Sequence, residues 1–293
     1  MTSRLVHGRD LNMRTFILSV FAFCAALSGV AKTLSTADDI KKYESGGELA
    51  IDPAEHPVDA PNDMKLILCI GQSNMAGRGK MTAADREIVP NAYKLNRDGK
   101  WVAAKSPYHY DRAYAAVGPV DDFVKMYLAD HPGETVGVVP CAVGGSAVAT
   151  WLPDGKNGPG ANYAKALDRV RIAAANGKFI AILWHQGETD AAKYDADALM
   201  KTYPGRVKSI ADALRKELGD ETLPFIVGEI GRWKRGDGDH AAKINPAIRK
   251  AAEIIPNSGL ATSEGLNNQD RHHFDRDSQR MLAERYYQAF KNL

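Results

Sequence analysis

Four short apolar runs, at 64–70, 135–139, 179–184 and 224–230, constrain this chain more than any other feature. Each has the length of a strand and is apolar along nearly all of it, the pattern of a strand buried on both faces. A weaker fifth run covers 259–262. Helical spacing fills the gaps between them. Tyr163, Leu167, Val170 and Ala174 recur on one face, as do Val207, Ile210, Leu214 and Leu218, and after Ser278 so do Leu282, Tyr286 and Phe290. Strand and helix in alternation imply an α/β fold, a parallel sheet with helices on both sides. The stretch 91–106 departs from the pattern and reads as an irregular segment or small hairpin around Asp98–Gly99.

The 293 residues are 44% hydrophobic and 25% charged, enough to bury one sizeable core. Lys and Arg number 38 against 36 Asp and Glu, a formal net charge of only +2. No single-sign field exists to steer nucleic acid or an anionic membrane, so neither is expected as a partner.

The chain divides into three. Residues 1–31 read as a signal peptide: Arg9 and Arg14 supply positive charge, 15–27 is apolar, and Gly29 and Ala31 occupy the places before a cleavage site. The apolar run is short of the roughly 20 residues that span a bilayer. Cleavage near Ala31 is therefore expected rather than stable membrane insertion, with export to the periplasm or beyond. Residues 32–62, with Pro53, Pro57 and Pro61, form a polar lead-in, and 63–293 form the domain. Two cysteines, Cys69 and Cys141, follow the cleavage point. Export permits a disulfide between them, yet each lies in an apolar run where a buried thiol is the commoner state.

In a parallel sheet the working residues collect at the carboxyl ends of strands. The first run passes into Gly71–Gln72–Ser73–Asn74–Met75, with a serine just after a tight glycine turn. Such a serine either caps a helix or presents its hydroxyl for attack beside backbone N–H groups. The second run ends in Gly144–Gly145, followed by Trp151, where paired glycines permit close backbone approach. The third ends in His185–Gln186–Gly187–Glu188, which places an amide donor and a carboxylate at the strand mouth. Nothing nearby completes a metal-ligand set around His185 and Glu188, so no metal is assigned. Near the C-terminus, Asp270 and His273 supply from one segment the carboxylate and imidazole that activate a serine.

These blocks, in this order, resemble the SGNH hydrolase superfamily, in particular its branch of sialic-acid-specific acetylesterases and carbohydrate esterase family six acetylxylan esterases. The resemblance spans about 65–290 and rests on Gly71–Gln72–Ser73–Asn74–Met75, on His185–Gln186–Gly187–Glu188 and on Asp270-x-x-His273–Phe274. It implies a flavodoxin-like three-layer α/β/α sandwich around a parallel sheet of about five strands. It also implies Ser73 as nucleophile, His273 as base and Asp270 as its orienting carboxylate. The oxyanion hole would be the Ser73 and Gly144 N–H groups and the Gln186 side chain, with Gly145 as alternative to Gly144. Gln72 and Asn74 would brace the loop, Trp151 would form part of a sugar platform, and Glu188 would replace or assist Asp270. The expected activity is removal of O-acetyl groups from a carbohydrate, without a cofactor. The alternatives are a sugar-binding protein that has lost catalysis, or an esterase acting on small non-carbohydrate esters.

Overall fold

The computed structural model describes residues 55–155 and 158–293; the expected signal peptide and most of the lead-in lie outside the described residues. Seven strands form one sheet: β1 (Met64–Gly71), β2 (Ala92–Leu95), β3 (Trp101–Ala103), β4 (Val136–Pro140), β5 (Gly177–His185), β6 (Phe225–Gly228) and β7 (Ser258–Ala261). Their spatial order is β3-β2-β4-β1-β5-β6-β7, and every pairing is parallel except β2 with β3. The five apolar runs are thus five of the strands, and the segment 91–106 supplies the other two.

That segment is a hairpin. Asn96 Oδ1 accepts from the N–H groups of Asp98 and Lys100, and Gly99 closes the turn at φ +72°. The middle of β2 is Lys94, whose fully buried ammonium lies 2.6 Å from Glu55 and donates to the Lys105 and Pro107 carbonyls. Glu55 belongs to the lead-in, so the last residues of that segment complete the sheet edge. Val58 N–H also donates to the Trp101 carbonyl there.

Helices α2 (Pro119–Asp130) and α7 (Arg276–Lys291) cover one face; α3 (Ala161–Ala174), α5 (Ala196–Leu218) and α6 (His240–Ile254) cover the other. Along β1 the faces alternate. Leu66, Leu68 and Ile70 pack with Leu167, Val207 and Ile248, while Ile67 and Cys69 pack with Phe123, Leu282 and Tyr286. A strand with an apolar core on each side needs an unbroken apolar run, which explains why β1 reads so clearly. Two very short helices, α1 (Ser73–Ala76) and α4 (Glu188–Lys193), follow β1 and β5 directly. Cys69 and Cys141 lie on neighbouring chain segments but carry free thiols.

Candidate active site

Gly71 ends β1 at φ +126°, and a Cβ there would meet the His185 carbonyl oxygen at 2.1 Å. Only glycine lets the ends of β1 and β5 meet this closely. The next two residues therefore emerge at the sheet's carboxyl edge, and Ser73 opens α1 beside a cavity of about 410 Å³. A cavity of that size suits a small organic ligand.

The loop before α7 brings the imidazole. His273 Nε2 lies 3.2 Å from Ser73 Oγ, and its Nδ1 lies 2.8 Å from Asp270 Oδ2. Asp270 Oδ1 also accepts the backbone N–H groups of His272 and His273. Partial burial pushes the Asp270 carboxyl up, but the His273 hydrogen bond and charge and those two N–H groups outweigh it, holding it well below the carboxylate range. Serine, imidazole and carboxylate thus form a continuous hydrogen-bonded chain, the arrangement that delivers a hydroxyl for nucleophilic attack.

Ser73 N–H and Gly145 N–H make no hydrogen bond among the described residues, and both residues line the cavity. Gly144 behaves differently. Its N–H donates at 2.8 Å to Asp111 Oδ2, an oxygen that Arg78 Nη2 holds at 2.6 Å. Burial raises the Asp111 carboxyl, but Arg78 and the Gly144 N–H bring it below the usual value overall, so the pair is ionic. Of the two expected glycines, Gly145 is the one whose N–H is left available.

Gln186 does not reach the cavity. Its side chain is fully buried, and Nε2 is spent on Asp190 Oδ2 at 2.6 Å, the Ser146 carbonyl at 3.0 Å and Gln72 Oε1 at 3.2 Å. The expectation of Gln186 as an oxyanion donor is corrected: its amide ties the β4 and β5 loops together beneath the site. Trp151 is corrected too. It is 1% exposed, packs edge-on against Trp184 at 5.8 Å and donates to Ser146 Oγ, so it is core and not a sugar platform.

Glu188 lines the cavity, but its Oε1 bonds Asn74 Nδ2 at 2.5 Å and its next partner, His185 Nε2, is 3.8 Å away. No hydrogen bond or ion pair joins it to His273 among the described residues, whereas Asp270 holds His273 Nδ1 at 2.8 Å. Asn74 bridges to the base loop, as its Oδ1 accepts from Phe274 N–H and its Nδ2 donates to the His272 carbonyl. Gln72 Oε1 accepts from Gly187 and Thr189 N–H groups at 3.4 Å, linking the end of β1 to the loop after β5. Among the described residues no group of three or more His, Cys, Asp or Glu side chains converges to hold a metal ion. Sequence reasoning missed Asp111, which sits in a stretch with neither periodicity nor motif. It also missed Arg78, whose place directly after the serine block was a usable signal.

Comparison with known proteins now bears on this geometry. The family model described as "Carbohydrate esterase, sialic acid-specific acetylesterase" matches residues 63–292. The chain belongs to this family. It is therefore a carbohydrate esterase, a carboxylic ester hydrolase. A probable carbohydrate esterase of Arabidopsis thaliana is 30% identical over 184 residues, covering 55% of this chain and 67% of that protein. The X-ray structure of an Arabidopsis thaliana protein matches with a TM-score of 0.66 at 25% identity, over 79% of this esterase and 98% of that chain. A carbohydrate acetylesterase from Xanthomonas citri shares the fold, with a TM-score of 0.60 at 22% identity, over 78% and 56% of the two chains.

Proposed function

We propose that this esterase removes O-acetyl groups from a carbohydrate through an acetyl-enzyme, with Ser73 as nucleophile. The observation that carries the reading is the Ser73 Oγ to His273 Nε2 contact at 3.2 Å, continued at 2.8 Å to Asp270. His273 takes the Ser73 proton as Oγ attacks the acetyl carbonyl carbon, and Asp270 stabilises the imidazolium. The tetrahedral oxyanion is received by the Ser73 and Gly145 N–H groups. As the C–O bond to the sugar breaks, the departing oxygen takes the proton from His273. Water, deprotonated by His273, then attacks the acetyl-serine, releasing acetate and restoring Ser73–OH. No metal or organic cofactor enters this cycle. A sugar-binding role without turnover finds less support, since the three reacting groups are present and in contact.

The test is acetate release from acetylated xylan and O-acetylated sialic acid, with 4-nitrophenyl acetate as a generic ester, by the wild-type chain and by Ser73→Ala. Turnover that Ser73→Ala abolishes is expected. Turnover that survives in the variant refutes the serine mechanism. We also propose export, on the strength of the basic, then apolar, then small-residue order of 1–31. Recovery of the full-length, uncleaved chain from the cytosol refutes it.

A further inference from the structure

Gly144 and Gly145 form the centre of a four-residue turn after β4. Val143 N–H donates to the Gly71 carbonyl at 2.9 Å, and Ser146 N–H donates to the Val143 carbonyl at 3.2 Å. Gly145 has φ +75°, the left-handed value that the third place of a type II turn requires. Paired glycines leave such a turn wide conformational freedom. A flip of the peptide between them would reverse the Gly145 N–H and present the Gly144 carbonyl in its place.

Asp111 restrains the turn. Its Oδ2 takes the Gly144 N–H at 2.8 Å and Arg78 Nη2 at 2.6 Å. The fit is close: a Cβ on Gly144 would stand 2.8 Å from Asp111 Oδ2, 2.9 Å from Arg78 Nη2 and 3.7 Å from Ser73 Cβ. Arg78 is in turn anchored to the loop that carries Ser73. Its Nη1 donates to the Gly77 carbonyl at 2.7 Å, and Gly77 N–H closes α1 on the Ser73 carbonyl at 2.9 Å. The Arg78 carbonyl accepts from Gln269 Nε2, the chain neighbour of Asp270. Tyr114 lays its ring 5.0 Å from the guanidinium carbon.

As a stabiliser this ion pair is poorly built. Arg78 Nε and Asp111 Oδ1 are buried and make no hydrogen bond among the described residues. Apolar side chains of similar volume stabilise a fold as well as such a pair does. What the pair supplies is fixed geometry. Being neutral as a whole, it also sets no negative field against charge developing at Ser73, as a lone carboxylate would.

We propose that Arg78 and Asp111 are positioning residues: their ion pair ties the loop after β1 to the turn after β4, and so sets the separation of the Ser73 and Gly145 N–H groups that receive the oxyanion. Donors of this kind act by standing in place before the charge forms. The inference rests on the serine reading above.

The deciding variant is Arg78→Met/Asp111→Leu, which replaces the pair by apolar side chains of similar size and leaves the Gly144 N–H without its acceptor. Its Tm should stay within about 3 °C of wild type. With 4-nitrophenyl acetate, kcat should fall by about 10²- to 10³-fold while KM is nearly unchanged. Affinity for methylboronic acid, which adds to a serine hydroxyl as a tetrahedral anion, should fall by a similar factor. Asp111→Asn, whose Oδ1 still accepts the Gly144 N–H, should lose far less. Amide hydrogen exchange gives a readout apart from turnover: the Gly144 amide should be protected in wild type and exchange freely in the double variant.

A folded double variant with wild-type kcat overturns the proposal, as does an Asp111→Asn enzyme equally impaired, or a wild-type Gly144 amide that exchanges freely. If the double variant does not fold, Asp111→Asn is compared with Asp111→Ala below their melting temperatures, and the same split is expected. Turnover that survives in Ser73→Ala refutes the serine reading, and this inference with it. A wild type silenced by Ser73→Ala but unimpaired in the double variant refutes this inference alone.

Discussion

Asn74 and Phe274 are joined by a hydrogen bond from the Phe274 N–H to Asn74 Oδ1 at 3.2 Å, while the same amide donates to the His272 carbonyl at 3.1 Å and to Glu188. The residue after Ser73 thereby grips the backbone on both sides of His273. Replacing Asn74 with Ala leaves β1 and α1 intact but frees the His273 loop to drift. A fall in kcat of about 10- to 100-fold with KM nearly unchanged is the expected result. A pure KM effect would show instead that Asn74 acts on substrate.

Glu188 spends its hydrogen bond on Asn74, leaving Asp270 as the carboxylate that orients His273. Asp270→Asn should lower kcat by about 10³- to 10⁴-fold, close to the loss in His273→Ala. Glu188→Gln should cost far less than either. Comparing the three variants on one substrate decides it; an Asp270→Asn enzyme with near-normal kcat would return Glu188 to the catalytic role.

The Arg78–Asp111 pair is almost wholly buried, with side-chain exposures of 4% and 2%. Asp111→Ala strands the guanidinium and releases the Gly144 N–H at once. Breaking such a pair costs about 3–5 kcal/mol, a fall in Tm of order 10 °C for a domain of this size. Differential scanning calorimetry checks it, and a shift below about 2 °C would mean that Arg78 finds another partner.

Asp121 is fully buried, and burial, followed by the nearby Asp122 charge, pushes its pKa up to about 7 against the hydrogen bonds from Ser106 and the Gly118 N–H. The folded state therefore binds this proton more tightly than the unfolded one. Its contribution is fully present below about pH 4 and is lost as pH rises through about 7. Comparing Tm at pH 5 and pH 8 in wild type and Asp121→Asn isolates the effect. The wild type should lose more stability across that interval than the variant, which cannot ionise there.

The sheet was legible wherever a strand is apolar on both faces, as in β1 with its alternating commitment to two cores. Strand β2 was not, because Lys94 at its centre breaks the apolar pattern. Its burial depends on Glu55 and two carbonyls from elsewhere in the chain, a circumstance no local period records. In the site, the sequence singled out Ser73, Asp270 and His273 by side-chain type, and the structure brings the three side chains into one hydrogen-bonded chain. Directions were not. Gln186 follows β5 immediately, but its amide turns to Asp190 four residues on, and Trp151 turns into the core beside Trp184. Asp111 was beyond reach: it becomes relevant only once Arg78 and Gly144 are folded against it.

The serine that opens α1 and the imidazole that precedes α7 stand 200 positions apart in sequence, at the two ends of the domain. On the serine mechanism proposed above, the Ser73 hydroxyl stays inert until the segment carrying His273 has docked against the sheet. Turnover becomes a readout of completed folding. A single proteolytic cut between β7 and His273 that let the last helix depart would remove that imidazole together with the Leu282 and Tyr286 side chains that close one core.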